Sequence, residues 1–289
     1  MGTDWRVRLA LPPQRDPAPL ATAIQHRLDG IVAEMSHWQA GSLLSRYNAA
    51  PAGSWTALPS DFAAVIAAAL AIAAASDGAF DPALGRLTDA WGLGPNPSSG
   101  APTNAVLLAG RAASGWRRLA FDREAARLRQ PGGLWLDLSG IAKGYAADAV
   151  ADTLAGLGVR HALVEIGGEC VGRGLRPDRD PWWVELETPA GFALPPLRVA
   201  LHQLAVATSG DYERGGHTLD PATGCPPIDG ATAVSVLHPS CMIADAWASA
   251  LGVLAPDKAI ALAERHALAA RLLTRTGEEL VTTALRRML

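Results

Sequence analysis

The residues best suited to binding a metal ion are Asp245 and Ser249, in the otherwise apolar segment Ala244-Asp-Ala-Trp-Ala-Ser-Ala-Leu251. They are four positions apart, so on a helix they share one face. A carboxylate and a hydroxyl are hard oxygen ligands, and such ligands suit Mg²⁺. A buried aspartate that accepts a backbone N–H is the plainer explanation, and the segment taken alone favours it.

A phosphate site is indicated by Asp137-Leu-Ser-Gly-Ile-Ala-Lys-Gly-Tyr-Ala-Ala-Asp148, which predicts a strand, a glycine turn and a helix starting near Lys143. Backbone N–H groups at the first turn of a helix bind phosphate, and the lysine adds a mobile positive charge. The spacing matches neither a Walker A loop nor the G-x-G-x-x-G fingerprint. An ordinary connection between a strand and a helix explains the segment equally well.

Proton transfer has one good candidate, His217, which lies near Thr208, Asp211 and Tyr212 and just before the turn signature Asp220-Pro-Ala-Thr-Gly224. Histidine titrates near neutral pH, which suits a general base. A lone loop histidine is more often inert, but the polar neighbours of His217 give the two interpretations equal weight.

Two further segments contain more glycine than an apolar core needs. Val164-Glu-Ile-Gly-Gly-Glu169 predicts a strand ending in two glycines, which permit close backbone approach, although a tight turn is the plainer explanation. Ser76-Asp-Gly-Ala-Phe-Asp-Pro82, with the later Trp91-Gly-Leu-Gly94, fits a pocket for a flat ring, although a turn after a helix is the commoner explanation.

The helices that must position these residues follow from periodicity and from turn residues. Ser60 is the expected N-cap of a helix that runs to about Ser76, after an irregular stretch at Gln39–Pro51. The glycine- and proline-rich stretch Trp91–Thr103 predicts a long loop. A first helix is expected from the apolar residues Leu20, Ile24, Leu28, Ile31, Val32 and Met35. Later helices are expected from about Lys143, over Met242–Leu254 and over Asp257–Ala267.

Several predicted strands follow one another without an intervening helix, which favours an α+β class over a doubly wound sheet. These strands are Trp116–Phe121 paired with Ala125–Arg129, then Leu134–Leu138, His161–Ile166, Trp182–Glu187, Leu197–Ala207 and Ala231–Leu237. We expect mixed, largely antiparallel sheets flanked by helices, in one domain over residues 1–289 that is built as two intimate lobes.

Charge and hydropathy exclude several classes of protein. The formal net charge is -3 and no basic run is longer than a pair, so no nucleic-acid partner is expected. Cys170, Cys225 and Cys241 form no C-x-x-C pair and are expected to be buried thiols. The N-terminus lacks an apolar signal region, and the apolar stretch Phe62–Ala75 is shorter than the about 20 residues of a bilayer span. We therefore expect a cytoplasmic protein without membrane insertion.

Seven ordered segments carry a family resemblance over nearly the whole chain. They are Met1-Gly-Thr3, Met35-Ser-His-Trp38 with Ser42-Leu-Leu-Ser-Arg-Tyr-Asn48, Asp77-Gly-Ala-Phe-Asp-Pro82, Asp137-Leu-Ser-Gly-Ile-Ala-Lys-Gly-Tyr145, Val164-Glu-Ile-Gly-Gly-Glu169, Thr208-Ser-Gly-Asp-Tyr212 with His217-Thr-Leu-Asp-Pro-Ala-Thr-Gly224, and Ala244-Asp-Ala-Trp-Ala-Ser-Ala-Leu251. Together they resemble the ApbE-type FAD:protein FMN transferases. Ser249 stands where that family usually has threonine, and Trp38 replaces the tyrosine of its M-S-x-Y motif.

The resemblance implies an ApbE-like fold and a specific reaction. FMN is transferred from FAD, the substrate, to a Thr or Ser hydroxyl of an acceptor protein, and AMP is released. The acceptor hydroxyl attacks the FMN-side phosphorus, while Mg²⁺ acts as a Lewis acid on the pyrophosphate. The family's acceptors carry Asp-Gly-x-Thr/Ser-type sequences on redox membrane proteins.

The resemblance also implies which residues bind the metal ion and FAD. Asp245 and Ser249 supply metal oxygens, and the backbone carbonyl of Gly140 or Ala142 completes the site. The residues implied to line or face the FAD pocket are Met1, Trp38, Ala79, Phe80, Asp81, Asp137, Lys143 and Leu219.

For catalysis, the resemblance implies that His217 accepts the proton of the acceptor hydroxyl, with Asp220 as its orienter, and that Lys143 acts at the same site. Two alternatives remain open at this point. One is a Mg²⁺-dependent FAD pyrophosphatase that yields FMN and AMP with water as the acceptor. The other is a non-catalytic FAD-binding protein.

Overall fold

The computed structural model describes residues 3–96, 98, 100–210 and 218–289, and in it the chain divides into two compact units. The described residues of the first unit are 30–96, 98, 100–142 and 218–227. Those of the second unit are 3–29, 143–210 and 228–289. Each unit is therefore assembled from segments that are distant in sequence.

Helices and strands alternate irregularly along the chain. The helices are α1 Ala18–Met35, α2 Leu43–Ala49, α3 Ser60–Ala75, α4 Gly85–Ala90, α5 Asn104–Ala113, α6 Ala142–Gly156, α7 Cys241–Gly252, α8 Pro256–Arg265 and α9 Thr283–Arg286. The strands are β1 Trp5–Leu9, β2 Trp55–Ala57, β3 Ala120–Asp122, β4 Arg127–Arg129, β5 Ala162–Ile166, β6 Glu169–Arg173, β7 Trp182–Glu185, β8 Arg198–Leu201, β9 Leu204–Gly210, β10 Ala233–His238, β11 Ala269–Leu273 and β12 Glu279–Val281. None of the described helices has both the length and the apolarity needed to cross a bilayer.

A seven-stranded sheet forms the centre of the second unit, in the order β1-β5-β6-β9-β10-β11-β12, and all its neighbouring strands are antiparallel. Val164 of β5 lies opposite Val7 of β1 and Val171 of β6. All five residues of β11 are buried, and α7 packs on β9 and β10. The smaller sheets, β2-β4-β3 and β7-β8, are antiparallel as well. The predicted α+β class with antiparallel sheets is confirmed.

Most predicted elements are present, with ends shifted by a few residues. The first helix is α1, the helix expected near Lys143 is α6, and the two helices expected after residue 240 are α7 and α8. The described residues of Trp91–Thr103 include none in a helix or strand, as predicted for a loop. The expected pair of strands between residues 116 and 129 is present as β3 with β4. The first residues of the expected first strand, Trp116–Arg118, form a 3-10 turn instead of a strand.

Three predicted element boundaries are wrong. In each case a local cap or turn, which composition does not reveal, decides where the helix or strand begins or ends. The stretch Gln39–Pro51 is not irregular throughout, since Ser42 accepts the Ser45 N–H and starts α2. Ser60 is not an N-cap, because it is already the first residue of α3 and Pro59 precedes it. Leu197–Ala207 is two strands that join different sheets, because the backbone bends at Gln203 with a φ of +54°.

The predicted strand Leu134–Leu138 is also wrong, although Leu134, Leu136 and Leu138 are buried as a strand prediction requires. No strand of the described chain pairs with this segment. The side chain of Asn48 takes that place: its Oδ1 accepts the Leu136 N–H at 2.7 Å and its Nδ2 donates to the Leu136 carbonyl at 3.1 Å. One amide side chain therefore satisfies both backbone groups of a buried residue, as a neighbouring strand would.

Helices α6 and α7 approach each other closely at Gly144. A Cβ atom placed on Gly144 would lie 2.3 Å from the Cys241 carbonyl oxygen and 2.7 Å from the Cβ of Asp245. The Gly144 N–H also donates to Asp245 Oδ2 at 2.9 Å. Glycine is therefore required here by the contact, which places the start of α6 directly against the carboxylate of α7.

We expect Asn48→Ala to lower the free energy of unfolding by roughly 2–4 kcal/mol, because two buried backbone groups lose their partners. The matched control is Asn96→Ala, since the Asn96 side chain bonds Asp89 at an exposed position. That control is expected to change stability by less than about 0.5 kcal/mol. Urea unfolding of both variants measures the difference, and equal effects would contradict the role given to Asn48.

We expect Gly144→Ala to destabilise the protein by about 1–3 kcal/mol or more, because the added methyl group meets backbone that cannot move aside cheaply. Gly156→Ala tests the same substitution in the same helix, where a Cβ would meet nothing within 4 Å. Alanine at Gly156 should leave stability unchanged or slightly higher. A Gly144→Ala protein as stable as Gly156→Ala in thermal unfolding would show that the helices do not need this contact.

Candidate functional site

Three charged residues of the second unit lie together in a group here called the carboxylate cluster: the partly buried Lys143 of α6 and the buried Glu169 of β6 and Asp245 of α7. The Lys143 ammonium donates to Glu169 Oε1, and the two form an ion pair. Glu169 and Asp245 are 1% and 4% exposed. The second oxygen of Glu169, Oε2, is buried without a hydrogen-bond partner among the described residues. The cluster thus holds two carboxylates around one ammonium.

Burial dominates the electrostatics of the carboxylate cluster. Burial, followed by the charge of Asp245, raises the pKa of the Glu169 carboxyl, and Lys143 offsets only part of this. Burial also raises the pKa of Asp245 against the opposing effects of Lys143 and the Gly144 N–H. For Lys143, burial favours a lower pKa, but the charges of Asp245 and Glu169 outweigh it and raise the pKa. The cluster is therefore short of positive charge.

The ligands predicted together with Asp245 are of the kinds that a hard divalent cation accepts. Asp245 and Ser249 lie one turn apart on α7, with Asp245 buried and Ser249 partly buried. Gly140 and Ala142 lie where the chain enters α6. Carboxylate, hydroxyl and carbonyl oxygens are ligands that Mg²⁺ accepts, and a missing positive charge next to Glu169 Oε2 favours a cation. Among the described residues no group of three or more His, Cys, Asp or Glu side chains is arranged as a metal site, so the predicted ligand set stays a prediction.

The first unit contains a cavity of about 330 Å³. Two tryptophans, Trp38 and Trp135, contribute flat apolar surface to its wall. Trp38 is 58% exposed, although it is a large hydrophobic residue. The other lining residues are His37, Ala40, Ser45, Asn48, Ala49, Gly85, Thr88, Gly94, Pro95, Asn96, Leu136 and Asp137. A small space with two tryptophans in its wall and polar side chains between them suits a flat ring that carries polar atoms.

His37 and Asp137 form the ion pair of the cavity. His37 Nδ1 lies 3.4 Å from Asp137 Oδ1, which also accepts the Ser139 N–H at 2.9 Å. Asp137 Oδ2 accepts the Thr88 hydroxyl at 2.8 Å. Burial alone would raise the pKa of Asp137, but His37 and Ser139 hold it well below its usual range. Burial would lower the pKa of His37, but Asp137, aided by Asp89, raises it. Both shifts favour imidazolium and carboxylate.

The other residues expected in the FAD pocket are placed differently. Asp81 accepts the N–H groups of Ala83 and Trp116, at 2.8 and 3.0 Å, and so ties a turn together. Its burial raises the pKa of Asp81 to about 6 despite those bonds. Phe80 is buried and Ala79 is partly buried, and neither they nor Asp81 line the cavity.

Leu219 and Asp220 belong to the packing of the first unit. Leu219 packs with Leu84 and Leu87 in a small apolar cluster. Asp220 Oδ1 accepts the Ala222 N–H at 2.9 Å, so this carboxylate caps its own turn. Met1 and His217, two of the predicted site residues, lie outside the described residues.

The structure therefore groups the predicted residues into two sets and adds others. Lys143 and Asp245 lie together in the carboxylate cluster, and Trp38 and Asp137 lie together at the cavity. Glu169 was quoted within a motif but not given a role, because its ion pair with Lys143 joins residues 26 positions apart. His37 was likewise quoted within a motif without a role, and Trp135 was missed altogether. Trp135 follows Leu134 in a predicted buried segment. An aromatic side chain at such a place was the one signal in the sequence for a pocket wall.

Known proteins match this chain over nearly its whole length. A family model described as the ApbE family matches residues 1–272. The FAD:protein FMN transferase of Vibrio cholerae is 32% identical over 289 residues, covering 96% of this chain and 86% of the relative. The FAD:protein FMN transferase of Salmonella typhimurium is 32% identical over 292 residues, covering 96% and 83%.

Solved structures with a similar fold indicate the same family. The flavin transferase ApbE from Vibrio cholerae superimposes with a TM-score of 0.93 at 32% identity, covering 100% of this chain and 96% of that one. The apo form of the Pseudomonas stutzeri flavinyl transferase ApbE gives 0.88 at 33% identity, covering 99% and 97%. Sequence and structure thus match over nearly the full length, and the chain belongs to the ApbE family.

Proposed function

We propose that this chain transfers FMN from FAD to a Thr or Ser hydroxyl of an acceptor protein and releases AMP, in a Mg²⁺-dependent reaction. The observation that carries the proposal is the carboxylate cluster, where Asp245 is buried, bonded by the Gly144 N–H and placed one turn before Ser249. The names of the relatives, FAD:protein FMN transferase, support the donor and the kind of acceptor. The acceptor motif, Asp-Gly-x-Thr/Ser, the single domain and the cytoplasmic location stay predictions.

The residues that would hold Mg²⁺ are Asp245 and Ser249, with the backbone carbonyl of Gly140 or Ala142. When bound, the ion supplies Lewis-acid polarisation of the pyrophosphate. Lys143 is charged and already fixed against Glu169, so it presents a positive group at the start of α6. Phosphoryl transfer depends on such positioning and charge neutralisation, because charge spreads over the phosphoryl oxygens in the transition state.

The acceptor hydroxyl must lose a proton as its oxygen bonds to phosphorus. We assign that proton to His217, since an imidazole titrates near neutral pH and can accept it directly. Asp220 is assigned as the orienter of His217, and its Oδ1 already accepts the Ala222 N–H of its own turn. The cavity of the first unit is assigned to a flat ring of FAD, because Trp38 and Trp135 offer stacking surface there.

The deciding experiment incubates the protein with FAD, Mg²⁺ and a peptide containing Asp-Gly-x-Thr. We expect the peptide to gain the mass of one FMN moiety and AMP to appear only with the metal ion. Free FMN and AMP with an unmodified peptide would support the pyrophosphatase. Bound FAD without any AMP would support a binding protein.

Asp245→Asn should reduce AMP release and peptide labelling at least a hundredfold, because a neutral amide is a poor Mg²⁺ ligand. The control is Asp152→Asn, the same change at an exposed position of α6. That variant should react at the wild-type rate. Calorimetric titration of both variants with Mg²⁺ separates lost metal binding from lost chemistry, and an unchanged rate in Asp245→Asn would remove this residue from the metal site.

His217→Ala should slow FMN transfer about a hundredfold or more while FAD binds as before, because a general base contributes to the chemical step rather than to binding. His26→Ala, at an exposed position of α1, is the control and should change neither quantity. Equal losses of binding and of transfer in His217→Ala would make this histidine a binding residue.

A further inference from the structure

The ion pair in the cavity fixes which nitrogen of His37 carries a hydrogen. Asp137 accepts from the Thr88 hydroxyl and the Ser139 N–H, and His37 Nδ1 faces the same carboxylate at 3.4 Å. An ionised carboxylate only accepts hydrogen bonds, so Nδ1 must keep its hydrogen toward Asp137. When the His37 ring titrates, the proton that is gained or lost is therefore the one on Nε2.

The Nε2 atom of His37 is buried and has no hydrogen-bond partner among the described residues. In the protonated ring Nε2 is a charged donor, and in the neutral ring it becomes an acceptor because Nδ1 retains its hydrogen. A buried charged donor without a partner is costly. A ligand that brings an acceptor atom to Nε2 removes that cost.

The other polar side chains of the cavity are already hydrogen-bonded and do not pair with the His37 Nε2–H. The amide of Asn48 is occupied by the backbone of Leu136, and the Thr88 hydroxyl is occupied by Asp137. The charged side chains of described residues that act on His37 are Asp137 and Asp89, both negative, and both raise the pKa of His37. Of the other polar lining side chains, Ser45 donates to backbone carbonyls and Asn96 donates to Asp89, and the remaining wall is aromatic or apolar.

We propose that His37 is a positioning residue whose Nε2–H donates to an acceptor atom, a carbonyl oxygen or a ring nitrogen, at the edge of a flat heteroaromatic ring of FAD in the cavity. The identity of the ligand rests on the proposed function. The M-S-x-Y motif leaves residue 37 open, so this donor belongs to this chain and not to the motif. Both the flavin ring and the adenine ring of FAD carry such acceptors, and the test distinguishes them.

The proposal makes FAD binding dependent on pH. The protonated ring donates to the ligand and the neutral ring does not, so affinity is fully present below the pKa of His37 and is lost as the pH rises through it. Because Asp137 and Asp89 raise the pKa of His37 above the ordinary value of 6.5 for histidine, the loss falls above pH 6.5. Loss of a hydrogen bond to a charged donor corresponds to about tenfold or more in affinity.

The experiment measures the Kd of FAD by calorimetry between pH 6 and pH 9, with Mg²⁺ and without acceptor peptide. The wild-type Kd should rise about tenfold or more across this range. His37→Phe should bind FAD about tenfold more weakly at pH 6 and show no such rise, because its ring cannot donate. His37→Gln retains a neutral N–H donor and should restore part of the affinity without the pH dependence.

Asp137→Asn is the second test, because removing the negative charge lowers the pKa of His37 without deleting its ring. The pH at which affinity is lost should move downward in this variant. His26→Phe, at an exposed position, should retain the wild-type profile. A wild-type Kd that does not change between pH 6 and pH 9, or a His37→Phe profile identical to wild type, would overturn the proposal.

Riboflavin and adenosine, titrated separately, identify the ring. The one that occupies the cavity should show the same pH dependence and the same loss in His37→Phe. Failure of this inference and failure of the proposed function give different results. A pH-independent Kd with normal peptide labelling overturns only the role of His37, whereas absence of FAD binding at every pH overturns both.

Discussion

The contact between α6 and α7 at Gly144 is the constraint on which the carboxylate cluster depends. The two helices approach so closely there that a single methyl group would collide with the Cys241 carbonyl and the side chain of Asp245. The same approach lets the Gly144 N–H bond Asp245 and brings the Lys143 end of α6 beside the buried carboxylates. A looser helix pair would admit water, and water would screen the charges that make this cluster attractive to a cation.

The buried charges are arranged for function at some cost in stability. Two carboxylates with one ammonium in a site this well buried are less favourable than apolar side chains of the same volume, since the desolvation of each ion must be offset. Glu169 illustrates this, because one of its oxygens has no partner among the described residues. Such an arrangement is expected where an incoming ion or ligand completes the site.

The sequence predicted what is local and missed what joins distant positions. Asp245 and Ser249 could be placed on one helical face because their spacing alone decides it, and antiparallel sheets followed from consecutive strands without helices. The bond between Asn48 and Leu136 joins residues 88 positions apart, and nothing in the apolar run around Leu136 shows that an amide side chain replaces a paired strand. The His37–Asp137 pair was missed for the same reason, since each residue was seen only within its own motif.

The replacement of a paired strand by Asn48 has a consequence for how this wall of the cavity can change over time. In a sheet, inserting or deleting one residue shifts the register and turns every following side chain to the opposite face. The segment around Leu136 belongs to no such ladder, because Asn48 bonds Leu136 while the Gly85 N–H donates to the Trp135 carbonyl and the Asp137 N–H donates to the Pro82 carbonyl. This wall of the cavity is therefore held by separate contacts to Asn48, Pro82 and Gly85, and a change of its length would leave the register of the described sheets intact.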